Sequence, residues 1–164
     1  MNYVLDSSSL IYLGKLGLLK NITNTKEKFY IPKKVYGEVV VGGRERKEPE
    51  ILLINELIRE KKLIVKKGKY VIKDYPLLSA ADKEVIALAK EMKCCVIIDE
   101  TSAREIACSL GVKVHGSIYF ILILLKRKII TKKDALKYIN SMITLGFYLS
   151  IEKYREILNL INRM

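Results

Sequence analysis

At 164 residues, 50% of them hydrophobic and 29% charged, the chain has material for one domain with a sizeable core, which excludes a disordered or fibrous protein and two full-sized domains. Its 30 Lys and Arg against 18 Asp and Glu give a net charge of +12, a field that draws phosphate polymers or anionic membranes, although Lys- and Ile-rich chains also arise without such partners. The longest apolar run, Ile118 to Leu125, falls far short of the roughly 20 residues a membrane span needs, and no basic leader precedes the first apolar run, so the expectation is a cytoplasmic protein with no membrane partner.

In chain order, "NYVL" predicts a first strand, and "SSLIYLGKLGLLKNI" places Leu10, Leu13, Leu16 and Leu19 at helical spacing with Ser7 or Ser8 as N-cap. "FYI" predicts a strand that Pro32 stops, after which Val35, Val39 and Val40 begin a second helical stripe carrying Glu38. The polar stretch that follows reads as a loop, "GGRERKEPE", then a helix, "ILLINELIREKK", then a hairpin of "LIV" and "YVI" turning at Gly68. "SAADKEVIALAKEMK" predicts a helix opened by Ser79, with Val85, Leu88, Ala89 and Met92 inward. "CCVIIDE" predicts a buried strand, "TSAREIACSLG" a helix ended by Gly111, and "VKV" another strand. Beyond Ser117 the pattern is helical: "IYFILILLKRK", then a helix capped by Thr131 and ended by Gly146, then one capped by Ser150. Cys94, Cys95 and Cys108 lack metal-ligand spacing and read as small buried hydrophobes in a reducing compartment. Strands alternating with helices predict an α/β fold with a mostly parallel sheet covered on both faces, one domain over 1–164, with the helices of 117–164 packed on it.

Two residues stand out chemically. Asp6 and Asp99 each follow a run of strand-forming apolar residues, and in an open parallel sheet ligands bind at the carboxyl ends of strands. If those strands are neighbours, the carboxylates converge; Glu38 and Asp82, on helices beside such strands, then make four acids for one pocket. Like charges a few ångströms apart raise one another's pKa, and a hard divalent cation with oxygen ligands removes the repulsion, which implies Mg²⁺ or Mn²⁺. Such an ion lowers the pKa of a bound water and steadies the charge on a scissile phosphate. Each acid also has a plainer reading: an Asp at a strand end commonly makes an Asx-turn or N-cap, and Glu38 and Asp82 taken singly are ordinary helix-surface carboxylates. Periodicity does not select those two.

"VLDSSSLIYLGKLGLL", "IPKKVYGEVV", "LSAADKEVIALAKE" and "VIIDETSAREIACSLGVKVHGSI" resemble, in order and over nearly the whole chain, the successive motifs of the PIN-domain family. The likeness is greatest to its prokaryotic nucleic acid-binding branch, kin to toxin ribonucleases of the VapC type, and the terminal "LGFYLSIEKYREILNLI" is similar to that branch's C-terminal helix pair. The resemblance implies a three-layer α/β/α fold and a metal-dependent endoribonuclease. Its acidic positions fall on Asp6, Glu38, Asp82 and Asp99 as the catalytic, metal-holding residues. Ser8 matches the hydroxyl that supports the first Asp, and Glu100 and Thr101 lie where a further polar or acidic residue is often found. "AADKE" departs from the Gly-Glu-Ala-Glu of related sequences, so Glu84 competes with Asp82 for the third position; helical spacing points the two in different directions, and Asp82 is preferred. Ser117 reads as the cap of the last core helix, with support of the site as its other reading. His115, the single histidine, is a poor general base because the metal–water mechanism needs none. Lys33, Lys34, Arg44, Arg46 and Arg104 are candidates for binding RNA. The further partners implied are a second copy of the chain, through Ile11, Tyr12 and Leu16, and, for a toxin, a small antitoxin protein. A non-catalytic nucleic acid-binding PIN scaffold is the alternative, against which the presence of all four acids argues; a 5′-nuclease-like DNA enzyme needs arch or helix-hairpin-helix elements for which the chain is too short.

Overall fold

The computed structural model describes residues 1–164. They form two compact units, Met1–Ser117 and Ile118–Met164. The first is built on five strands, β1 (Tyr3–Leu5), β2 (Phe29–Pro32), β3 (Leu63–Lys66), β4 (Cys95–Ile97) and β5 (Val114–His115), all parallel and ordered β3-β2-β1-β4-β5. Helices flank them: α1 (Ser7–Lys15), α2 (Leu19–Thr23), α3 (Lys33–Val35), α4 (Gly42–Glu45), α5 (Glu50–Arg59), α6 (Ala80–Met92) and α7 (Thr101–Ser109). The central strands are apolar throughout because a parallel sheet is covered on both faces; every residue of β1, β2 and β4 is buried.

The chain runs outward from β1 through β2 to β3, then returns to place β4 on the other side of β1. Strand order therefore reverses between β1 and β4, and the loops that leave their carboxyl ends diverge to open a crevice there. Leu5 and Ile97 pair across that junction, which puts Asp6 and Asp99 on either side of the crevice.

Local chemistry explains several element boundaries. The helix expected over "SSLIYLGKLGLLKNI" is two helices, because Gly17 turns left-handed with φ +69° and ends α1. Its N–H bonds Gly14 O at 2.9 Å and Leu18 N–H bonds Leu13 O at 2.9 Å, the paired closure of a helix C-terminus. Gly111 ends α7 in the same way, at φ +76°, and Gly146 ends the helix Lys132–Thr144 at φ +95°. The expected loop "GGRERKEPE" begins as helix: α3 runs through a π-helical stretch, Tyr36–Val41, into α4. Gly43 permits it, since a Cβ there would stand 2.5 Å from Ile51 Cδ1.

The hairpin at Gly68 does not form. Tyr70 and Val71 are 67% and 77% exposed and belong to no strand. The Lys69 N–H, which a ladder would use, goes to the Glu91 carboxylate on α6 at 2.7 Å, so β3 remains an edge strand paired only with β2. Cys94 and Cys95 are buried as expected, but Cys108 is exposed. It follows Ala107, the residue of that turn of α7 that faces the core.

The second unit is three helices, α8 (Ile118–Lys126), α9 (Lys132–Thr144) and α10 (Ile151–Arg163), with α9 against both others. Thr131 with Asp134 forms a reciprocal cap on α9, and Ser150 caps α10.

Candidate metal centre

Asp6 does two jobs at once. Its N–H prolongs the sheet by bonding Ile97 O at 3.1 Å, and its carboxylate Oδ1 accepts the Ser9 N–H at 2.7 Å. Asp6 is therefore the N-cap of α1, not Ser7 or Ser8 as expected, because the helix starts directly at the strand end with no intervening turn residue. Cap geometry selects the third helical residue as donor, so the serine supporting Asp6 is Ser9; Ser8 is exposed. Only 4% of Asp6 is exposed. Burial pushes its pKa from 3.8 up to about 7; the Ser9 bonds pull it down, and the charges of Asp99 and Asp82 push it further up.

Asp99 is held just as firmly. Oδ1 accepts the Ser117 N–H at 2.7 Å and Oδ2 accepts the Ser117 hydroxyl, with Ser117 fully buried. Of the two readings of Ser117, support of the site is the one these bonds carry: its N–H and its hydroxyl both donate to Asp99. Burial raises the pKa of Asp99, while the Ser117 bonds and the Arg104 charge pull it down. Arg104, on the first turn of α7, donates from Nη1 to the Ile98 carbonyl at 3.0 Å. Thr101 is exposed; the polar work at this helix start belongs to Glu100, whose carboxylate accepts from Ser102 N at 3.1 Å and Ala103 N at 2.6 Å. His115 lies in β5, and its backbone carbonyl accepts the Ile98 N–H at 3.0 Å. Burial first, then Lys113 and Arg104, lower its pKa, which keeps the ring neutral at pH 7.

Asp82 sits in the first turn of α6, where its Oδ2 accepts from Ser79 N at 3.3 Å and Ser79 Oγ at 2.6 Å while its own N–H bonds Ser79 Oγ at 3.0 Å. Glu38 occupies the π-helical stretch, and its Oε2 accepts the Ser7 hydroxyl at 2.6 Å. Ser7, which sequence reasoning missed as a site residue, thereby ties Glu38 to the turn that carries Asp6. The two candidates for the third acidic position part company: the charge of Asp82 reaches Asp6, whereas Glu84 accepts the Lys34 N–H at 3.2 Å and lines an open cleft of about 460 Å³ with Lys33, Lys34, Gly37 and Glu38. Of the remaining basic candidates, Arg44 bonds Asn55 Oδ1 at 2.8 Å and Arg46 lies 3.8 Å from Glu48, so both are engaged with the segment that follows them rather than with the four acids.

As a donor set, four carboxylates with one buried and close to two others have the chemistry of a hard divalent cation site. No three of them stand at ligating range of a common point, and each accepts a hydrogen bond from a serine.

A family model described as a PIN domain matches residues 2–163. The chain belongs to the PIN-domain family. PIN domains are typically nucleic acid-binding nucleases and generally use divalent metal ions. No curated protein matches the chain significantly. Among solved structures, a PilT N-terminus domain protein from the hyperthermophilic archaeon Sulfolobus solfataricus P2 is similar at 20% identity and a TM-score of 0.55, covering 73% of this PIN chain and 90% of its own. A domain of a functionally unknown protein from Methanocaldococcus jannaschii DSM 2661 matches at 16% identity and a TM-score of 0.48, covering 70% and 89% of the respective chains. The first supports the PIN-like fold, a five-stranded parallel sheet between helices.

Proposed function

We propose that this PIN domain is an endoribonuclease dependent on Mg²⁺ or Mn²⁺. The observation that carries the reading is Asp6: a carboxylate buried at the point where strand order reverses, with the charges of Asp99 and Asp82 pressing on it. Asp6, Asp82 and Asp99, with Glu38, are the residues to hold the ion. When bound, it supplies charge neutralisation at the scissile phosphate and a water of lowered pKa. The chain's own part is preparation. Ser9 fixes Asp6, Ser117 fixes Asp99 and Ser7 fixes Glu38, so the acids enter with rotamers already chosen. Oδ1 of Asp6 accepts from Ser9, and burial raises its pKa to about 7, so its ionised form lacks a counter-charge that a cation would supply. Lys33 and Lys34, on the cleft beside Glu38, attract the phosphate chain.

As a toxin, the protein would act beside a small antitoxin, and pairing of two copies through the half-buried Ile11 and Tyr12 on α1 and Leu16 at its C-terminus belongs to the same reading. One observation favours a second reading, a PIN scaffold that binds nucleic acid without cutting it: no three acids are at ligating range of a common point. Cleavage of a mixed RNA pool separates the two. The wild type should cut with Mg²⁺ or Mn²⁺ and not with EDTA, and Asp6→Asn and Asp99→Asn should each abolish cutting while leaving the fold intact. Unchanged cleavage in Asp6→Asn would refute the assignment.

A further inference from the structure

We propose that Arg104 is a phosphate-binding residue of the same site, holding a non-bridging oxygen of the nucleic acid backbone through the donors that its tether beside Asp99 leaves free. The inference rests on the endoribonuclease reading above, and it separates Arg104 from the basic residues that merely attract the strand.

The guanidinium is tethered. Nη1 donates to the Ile98 carbonyl at 3.0 Å, on the residue that joins β4 to Asp99. Nη1 and Asp99 Oδ1 lie 2.8 Å and 3.0 Å from the point where a Cβ on Gly116 would stand. The two charged atoms are therefore within about 6 Å of each other, close enough for the cation to lower the carboxyl pKa. Asp99 nonetheless has both oxygens on Ser117, so its hydrogen bonds do not depend on Arg104. A guanidinium carries five N–H donors, and the Ile98 bond uses one. What remains is a half-buried planar fork fixed next to a candidate metal ligand, the donor geometry that fits phosphate oxygens in pairs.

Lys33 and Lys34 lack this preparation: both are exposed, and no side-chain bond fixes either. Gly116 is part of the arrangement. Any side chain there meets Arg104 and Asp99 together, so Gly116→Ala must shift the guanidinium or the carboxylate.

The test uses a fluorescent single-stranded RNA of mixed sequence and the full chain. In EDTA, Arg104→Gln should weaken binding about tenfold and lower the slope of log affinity against log salt by about one, the signature of one lost phosphate contact. Arg104→Lys keeps the charge and loses the fork, so it should restore most of the binding but not the rate, with kcat in saturating Mn²⁺ down about tenfold and KM near wild type. Gly116→Ala should fall between wild type and Arg104→Gln. Arg104→Lys, which keeps the charge beside Asp99, should hold Mn²⁺ as tightly as wild type in calorimetry, and both Arg104 variants should melt at the wild-type temperature. Unchanged RNA affinity and salt slope in Arg104→Gln overturns the proposal. So does an RNA affinity in EDTA that Arg104→Lys fails to restore, together with a Mn²⁺ affinity that falls in that variant, which marks Arg104 as a prop for Asp99 alone. A wild type that binds RNA in EDTA but does not cut it with Mn²⁺ sinks the nuclease reading, while the binding comparison still decides on Arg104.

Discussion

Asp6 binds its proton more tightly in the folded chain than in the unfolded one, with a native pKa of about 7 against 3.8. Between those values the native state holds a proton that the unfolded state has lost, so the stability this group contributes is full below the unfolded value and declines as pH rises through 7. Asp99 shifts in the same direction. His115, pushed down by burial, acts oppositely over the upper part of the range, so the informative quantity is a difference. In EDTA, the fall in melting temperature between about pH 5 and pH 8 should be smaller in Asp6→Asn than in wild type, and Mn²⁺ should restore the wild type at the higher pH by taking the proton's place. Equal slopes for the two proteins would show that Asp6 is not the group responsible. Asn caps a helix about as well as Asp, so the variant isolates the charge, whereas Asp6→Ala should cost roughly 1 kcal/mol more through the lost cap. Ser117 offers a parallel test: Ser117→Ala removes the hydroxyl on Asp99 and keeps the backbone N–H, and should weaken Mn²⁺ binding about tenfold in calorimetry. An unaltered affinity would take Ser117 out of the site.

Elements obey two kinds of signal, one local and one not. Ser79, Thr131 and Ser150 cap the helices expected of them, because an N-cap is decided within four residues of sequence. The continuation of α3 through the π-helical stretch into α4 is not decided there. It depends on Ile51 of α5 arriving where a side chain on Gly43 would be, so a glycine that read as part of a loop is instead a packing contact. Gly43→Ala should accordingly destabilise the protein by roughly 1–3 kcal/mol in urea unfolding, the cost of overpacking a well-filled contact. A loss under about 0.5 kcal/mol would mean that α4 and α5 separate freely. The "YVI" segment shows the same dependence in reverse: its composition suits a strand, but Lys69 N–H has a better partner in Glu91 than any ladder offers.

For the whole molecule the relevant quantity is the charge of +12. Contacts from Lys and Arg release counterions from a phosphate chain, so RNA affinity should fall steeply and linearly on logarithmic axes between low and moderate salt, whereas binding that stays level would mean the charge serves something else. Most of the fold's class is legible along the chain. Apolar runs alternating with helical stripes specify a parallel sheet, and acids placed just past two of those runs specify its carboxyl edge, because both signals are periodic and local. Glu38 and Asp82 needed the family motif, since helical spacing treats every solvent-facing carboxylate alike. Which serine serves which acid is settled by packing. Ser7 meets Glu38 across 31 positions and Ser117 meets Asp99 across 18, and such pairs exist only after β1, β2, β4 and β5 have been set side by side. The same holds for the pKa of Asp6: the residue is visible in the sequence, but its surroundings are supplied by packing, and it is burial, more than any neighbour along the chain, that holds its proton on near neutral pH.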